Sequence, residues 1–328
     1  MDRCEASPPL EGFSFAAYFA YVFYLPTQLA GPVLPFNAFH SYLAAPQTTH
    51  SSARLLRYGA GWLLCLGAME LLTHAAPAMA VASSGAYAGF EPLQLMMFSF
   101  VLLKLIWLKF LIIWRFFRLW VLLDGVETPE NMSRWMTDNY TLRGFWRGWH
   151  CSFNRWLVRY IYVPAGGSDG GWVVRMRNIF GVFSFVAIWH DMTLQLLLWG
   201  WLSAIAFAPE LLVEWLGSRP SVRAAIGGRW WYANLVALLG ALNVLLLIVA
   251  NMIGFATAAG GTASILAALA TAEGAALLGA ATVMLYNGVL VMLEIRAAEG
   301  LQQDRGGGSR RRGRSRSPSP AVANKKRN

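Results

Sequence analysis

Long apolar stretches alternate with short polar intervals along most of this chain. Measured against the roughly 20 apolar residues that a bilayer needs, the pattern predicts spans at Phe13–Leu34, Leu55–Thr73, Leu93–Trp114, Phe180–Leu202, Asn234–Ala256 and Thr262–Leu293. Pro26 and Pro32 interrupt the first stretch, and proline removes a backbone donor and clashes with the preceding turn. A re-entrant hairpin is therefore the alternative to a span there. The last stretch is rich in Ala and Gly, which suits close helix packing. The expected fold is all-α, a polytopic transmembrane bundle. Met1–Glu11 is acidic and proline-containing, without the basic n-region of a cleavable signal peptide.

Between Val121 and Asn178 the pattern changes. Trp recurs at 135, 146, 149, 156 and 172, with Arg at 134, 143, 147, 155 and 159. Amphipathic rings and snorkelling guanidinium groups together suit a membrane interface. Phe145, Trp149, Phe153, Trp156, Leu157 and Tyr160 repeat at helical spacing, which predicts an in-plane amphipathic helix over Leu142–Tyr162, stopped by Pro164 and Gly166-Gly167. Arg147, His150 and Asn154 would then share a neighbouring polar stripe. Any interfacial helix shows such a stripe, so the residues alone leave a functional and a merely solvated reading of His150 open.

Composition agrees with the membrane reading: 56% hydrophobic residues and 13% charged, against about 25% charged in soluble domains. The net charge of +10 sits almost wholly at one end. From Arg296 onward there are ten Lys/Arg and two Asp/Glu, while the preceding 295 residues carry seventeen and fifteen. The chain thus divides into a membrane-embedded region, 1–295, and a basic tail, 296–328, with too few apolar residues for a core and an expected disordered state. RSRSPSP in that tail could suggest nucleic-acid binding. The positive-inside rule gives the simpler reading, a cytosolic tail touching anionic lipid. No nucleic-acid partner is expected.

A few ionisable residues fall inside apolar stretches, where each costs several kcal/mol, about 2.5–3.5 on insertion scales. His190 and Asp191 interrupt FGVFSFVAIWHDMTLQLLLWGWL near its middle. Such a histidine is a functional candidate by default; the alternative is a neutral ring bonded to a neighbouring helix, with Asp191 fixing its tautomer. Lys104 and Lys109 lie within the third span and call for acidic partners or a wet cavity, which could receive a phosphate-bearing donor. Snorkelling accounts for Arg115 and Arg118 at its end. His40, His50 and His74 sit near loops or span ends. Cys4, Cys65 and Cys151 are odd in number and irregularly spaced, so they form neither a disulfide framework nor a metal cluster. No metal site is expected.

FWRGWHCSFNRWLVRYIYVPAGG (Phe145–Gly167), followed by FSFVAIWHDMTLQLLLWGWL (Phe183–Leu202), resembles the membrane-bound O-acyltransferase superfamily. The likeness is closest to its glycerol-uptake-protein branch, relatives of hedgehog acyltransferase, and FSFAAYFAYVFYLPTQLAGPVLPFNAF (Phe13–Phe39) is similar to that branch's tyrosine-rich segment. The resemblance implies acyl transfer from acyl-coenzyme A, as co-substrate rather than bound cofactor, to a lipid hydroxyl. It further implies remodelling of glycosylphosphatidylinositol (GPI) lipid anchors in the endoplasmic reticulum. It makes His190 the intramembrane catalytic histidine and His150 its upstream partner, with Lys104, Lys109, Arg147 and Asn154 as donor-binding candidates. Family members carry further spans before the block matched by Phe13–Phe39, so this chain is expected to lack the family's N-terminal helices. The competing function is a proton-coupled glycerol uptake transporter, or a regulator of one. A transporter is expected to show internal repeats with paired broken helices, and the sequence shows none.

Overall fold

The computed structural model describes residues 2–226, 229–256 and 261–314. Among these, six helices are long and apolar enough to cross a membrane: Ser52–Ala75, Pro92–Leu123, Gly171–His190, Leu194–Ser218, Trp231–Phe255 and Ala272–Gly300. The described residues contain no strand longer than an isolated bridge. The all-α polytopic expectation holds, but three of the predicted spans are interrupted.

The first, Phe13–Leu34, is broken into helix α1 (Phe15–Val22) and helix α2 (Leu25–Leu29). Eight residues of α-helix rise only about 12 Å, too little to cross hydrocarbon. Pro26 enters in the first turn of α2, where its missing N–H is harmless. Gly31 then lies against the Pro26 carbonyl oxygen, leaving no room for a side chain. Tyr21 donates to the Leu34 carbonyl at 2.7 Å, and the Val33 N–H donates to Ser152 Oγ at 2.8 Å. The segment is therefore docked onto the chain just after His150. Helix α3 (Phe36–Ala44) follows, burying Ala38 and Phe39.

Helix α4 (Ser52–Ala75) packs on helix α5 (Pro92–Leu123), the most central element. A capping box of Glu91 and Gln94 and a proline at the first position start α5. Its inner face, from Leu95 through Leu102, Leu105, Leu111 and Trp114 to Val121, is buried. Arg115 and Arg118 do not snorkel. Arg118, only 8% exposed, pairs with Glu130 at 3.3 Å and donates to the Thr128 carbonyl; Arg115 reaches Glu130 at 3.1 Å, and Tyr58 of α4 donates to the same carboxylate. A guanidinium this deep requires a partner, and Glu130 in the following loop supplies one for both.

The predicted in-plane helix Leu142–Tyr162 is also interrupted. Helix α6 (Leu142–Gly148) and helix α7 (Cys151–Leu157) are separated by Trp149 and His150, and a π-turn over Val158–Tyr162 ends the run. Its aromatic face packs against protein: Trp146 meets Phe183 and Trp199, and Trp156 meets Phe185. The single stripe of Arg147, His150 and Asn154 is lost with the helix that would have carried it.

The second interrupted span is Phe180–Leu202. It is the inner part of a helical hairpin between α8 (Gly171–His190) and α9 (Leu194–Ser218). Asp191 is extended, its carboxylate accepts from the Met192 N–H at 2.8 Å, and the Thr193 hydroxyl caps α9 by accepting from Leu196 N–H. The hairpin closes tightly at Gly200, where a Cβ would lie 2.9 Å from the Phe183 carbonyl oxygen. His190 and Asp191 thus sit at a helix end, not at mid-span.

Helix α10 (Trp230–Asn251) continues into a π-turn over Met252–Ala256 that touches α9. The last predicted span, Thr262–Leu293, divides at Ala270-Thr271 into a short helix Gly261–Leu269 and helix α11 (Ala272–Arg314). Helix α11 runs past Arg296 into the basic tail, and residues 315–328 of that tail lie outside the described residues.

Candidate active site

The site is built around His150, which stands at the start of α7 with φ 45° and ψ 53°. It is the one non-glycine among the described residues with a positive φ. That left-handed conformation is sterically costly for an L-residue, so neighbouring contacts must hold it. They come from residues 131–133. Met132 forms an antiparallel bridge with Trp149, the Ser133 N–H donates to the Gly148 carbonyl at 3.1 Å, and the Cys151 N–H donates to the Asn131 carbonyl at 3.0 Å. The turn aims the imidazole onto Trp114, stacked at 4.3 Å, with Phe153 at 5.1 Å and Trp189 at 6.3 Å.

Trp189 precedes His190 and links the two histidines, which are forty residues apart in sequence. The His190 ring packs edge-on against Phe255 at 5.2 Å and Trp199 at 5.8 Å. Trp199, only 1% exposed, is itself fixed by a hydrogen bond to Asn251 and by the backbone of Gly254, where any Cβ would overlap its ring. His190 makes no hydrogen bond to protein among the described residues and is exposed at the helix end. An imidazole placed this way by aromatic walls, with its nitrogens unengaged, is available for proton transfer.

Burial first, and the nearby His190 second, hold the His150 imidazole down to about 4. His150 is therefore neutral at physiological pH, with one N–H to donate. Above about pH 6.5, the ordinary histidine value, folded and unfolded forms both carry a neutral ring and the contribution to stability is complete. As the pH falls from there toward 4 the unfolded chain takes up a proton that the folded chain refuses, so stability is lost. Thermal unfolding in detergent from pH 7 to pH 4 is expected to fall more steeply for the wild type than for His150→Gln. Parallel profiles would contradict this burial.

Two cavities flank the 132–149 loop and share Ser133 and Arg134. The larger, of about 640 Å³, lies between α4, α5 and the loop, with Leu64, Cys65, Trp107, Leu111 and Trp135 among its walls together with Lys104, which lies against the Phe100 ring and has no ion pair among the described residues. The smaller, of about 270 Å³, is lined by Asn139, Thr141, Arg134, Arg147 and Arg296. Arg134 and Arg296 share Asp138 and Glu299 as counter-ions, which ties α11 to the loop. Arg147 has no ion-pair partner among the described residues. Lys104 and Arg147 thus each face a cavity, while Lys109 is exposed and Asn154 lines neither.

Sequence reasoning missed three contributors. Asn131 and Glu210 anchor the loop and α6: the Glu210 carboxylate accepts the Leu142 N–H at 2.7 Å and the Arg143 N–H at 3.2 Å. Trp114 is the floor beneath His150. Glu210 did carry a signal, as a carboxylate within an apolar run; Asn131 and Trp114 carried none.

A membrane bundle that brings two histidines together beside aromatic walls fits the family whose sequence model covers residues 5–249, and this chain belongs to that family, MBOAT, the membrane-bound O-acyltransferase family. Among its relatives is the membrane-bound O-acyltransferase gup1 of Schizosaccharomyces pombe, 39% identical over 299 residues, or 91% of this chain and 50% of that protein. The membrane-bound O-acyltransferase GUP1 of Saccharomyces cerevisiae is 38% identical over 90% of this chain and 51% of its own length. The protein-cysteine N-palmitoyltransferase HHAT of Mus musculus is more distant, at 27% identity over 76% of this chain and 52% of that protein. The chain spans about half the length of these relatives.

Proposed function

We propose that this chain carries the acyl-transfer centre of a membrane-bound O-acyltransferase that moves an acyl group from acyl-coenzyme A to a lipid hydroxyl. The observation that carries this reading is the convergence of His150 and His190 across Trp189. A hydroxyl is a weak nucleophile until a base takes its proton. In the proposed step neutral His190 accepts that proton as the oxygen attacks the thioester carbonyl. His150, kept neutral by burial, donates a hydrogen bond to the oxygen on which negative charge develops. Collapse breaks the carbon–sulfur bond, and the His190 imidazolium returns its proton to the departing thiolate. Trp114, Phe153, Trp189 and Trp199 give the two imidazoles apolar walls, and an acyl transfer that outpaces hydrolysis needs such surroundings.

Lys104 and Arg147 are the donor-binding candidates supported by cavities; Lys109 and Asn154 have no such support. The O-acyltransferase names of the relatives near 40% identity favour a hydroxyl over the amine acceptor of the palmitoyltransferase. Within this reading the lipid is a GPI anchor, the membrane is that of the endoplasmic reticulum, and the basic tail faces the cytosol.

The test is transfer of labelled acyl groups from acyl-coenzyme A to membrane lipid, with the product treated by mild alkali. An ester is cleaved and an amide survives. Alkali-labile lipid product is expected; absence of product, with saturable glycerol uptake into proteoliposomes instead, would replace the enzyme by a transporter.

A further inference from the structure

We propose that Asn131 is a positioning residue for His150. Three features of its surroundings point the same way. Asn131 is 1% exposed. Its backbone carbonyl accepts the Cys151 N–H at 3.0 Å, and its side-chain Oδ1 accepts the Ser152 N–H at 3.1 Å. One residue therefore grips the two amides that directly follow His150. Those amides open α7 and have no acceptor inside their own helix; the Cys151 amide is held by the residue 131 backbone, and without the Asn131 side chain the Ser152 amide would lose its acceptor in a buried setting.

The grip explains why His150 stays left-handed. On the other side of the turn, Met132 bridges Trp149 and Ser133 holds Gly148. Residues 131–133 thus clamp 148–152 on both flanks, and the backbone between the two anchored ends reverses φ at His150. The reversal directs the imidazole onto Trp114 rather than along the polar stripe that a continuous helix would have given it. A second link joins the same point to the N-terminal segment, because Ser152 Oγ accepts the Val33 N–H.

Asn131 Nδ2 is buried with no hydrogen-bond partner among the described residues. An orphan amide donor costs free energy, so stability alone would favour a side chain without it. Oδ1 is what the site uses. Asn131→Asp keeps an acceptor at that position at the cost of burying a carboxylate, whereas Asn131→Ala removes the acceptor.

The experiment uses the full chain in detergent or nanodiscs, with its histidines isotopically labelled for NMR. The His150 ring protons lie over the Trp114 face and are expected to resonate upfield through its ring current. In Asn131→Ala they are expected to move back toward ordinary positions, while the His190 signals stay in place and the protein remains folded. Asn131→Asp is expected to keep the wild-type His150 positions. Should Asn131→Ala fail to fold, Asn131→Gln takes its place, since its extra methylene displaces the acceptor. Unchanged His150 resonances in the folded variant would overturn the proposal.

A kinetic arm rests on the acyl-transfer reading. With a misplaced His150, kcat is expected to fall roughly 10- to 100-fold while KM changes little, and Asn131→Asp is expected to recover most of the loss. Moved resonances with unaltered kcat would leave the positioning role standing and remove His150 from the chemistry. The two failures are thereby separable.

Discussion

His190→Ala is expected to abolish most acyl transfer, with a loss of about 10²- to 10⁴-fold and almost no change in thermal stability. The size follows from the proton. Without a base the acceptor hydroxyl must attack while still protonated, and the neighbouring His150 is assigned to the oxyanion rather than to the hydroxyl proton. The small stability cost follows from packing, since the ring is exposed at the end of α8 and makes no hydrogen bond to protein. His190→Gln retains polarity and approximate size but cannot accept and return a proton at neutral pH, so it is expected to be equally inactive. Acyl transfer at matched protein levels, with melting followed by circular dichroism, separates loss of chemistry from loss of fold. Activity of His190→Ala within twofold of wild type would remove the histidine from the mechanism.

The largest stability effect is expected at Glu210. Its carboxylate caps α6 from across the α8–α9 hairpin, accepting two backbone N–H groups that have no alternative within that helix, and it stands next to Pro209 within α9. Asn243 of α10 approaches the same oxygen at 3.5 Å. Glu210→Ala orphans the Leu142 and Arg143 amides. Buried unsatisfied donors cost about 1–3 kcal/mol each, so a loss of roughly 2–5 kcal/mol is expected. Glu210→Gln keeps one carbonyl acceptor and is expected to lose about half as much. Chemical denaturation of both variants in detergent gives the comparison, and equal stability of Glu210→Ala and wild type would refute the capping role. Activity should fall with stability here, because α6 leads straight into the turn that carries His150.

The membrane class and the approximate positions of four spans were legible from hydropathy, and the motif pointed to the two histidines that the structure brings to one aromatic cluster. The errors share a cause. Hydropathy reports what is apolar and not where the backbone turns. FGVFSFVAIWHDMTLQLLLWGWL was long enough to be one span, yet Asp191 and Thr193 are the residues that end one helix and start the next. Read as turn and cap, those two place the ionisable pair at a helix end rather than inside a helix. Periodicity misled in the same way over Leu142–Tyr162: the aromatic spacing is helical on both sides of His150, and only the left-handed residue between them breaks the register. That break depends on Asn131, Met132 and Ser133, about twenty residues upstream, and no local pattern reports so distant a clamp. Arg115 and Arg118 were misread for a related reason, because Glu130 reaches them only after the chain has turned at Gly125.

In the proposed step His150 and His190 act on one reaction as a unit. A double-mutant cycle in acyl transfer tests it most directly, comparing His150→Ala, His190→Ala and the double variant against wild type at matched protein levels. Groups that serve one transition state are strongly non-additive. The double variant is therefore expected to be no slower than His190→Ala alone. Losses that multiply, each histidine contributing its full factor independently of the other, would contradict a shared centre.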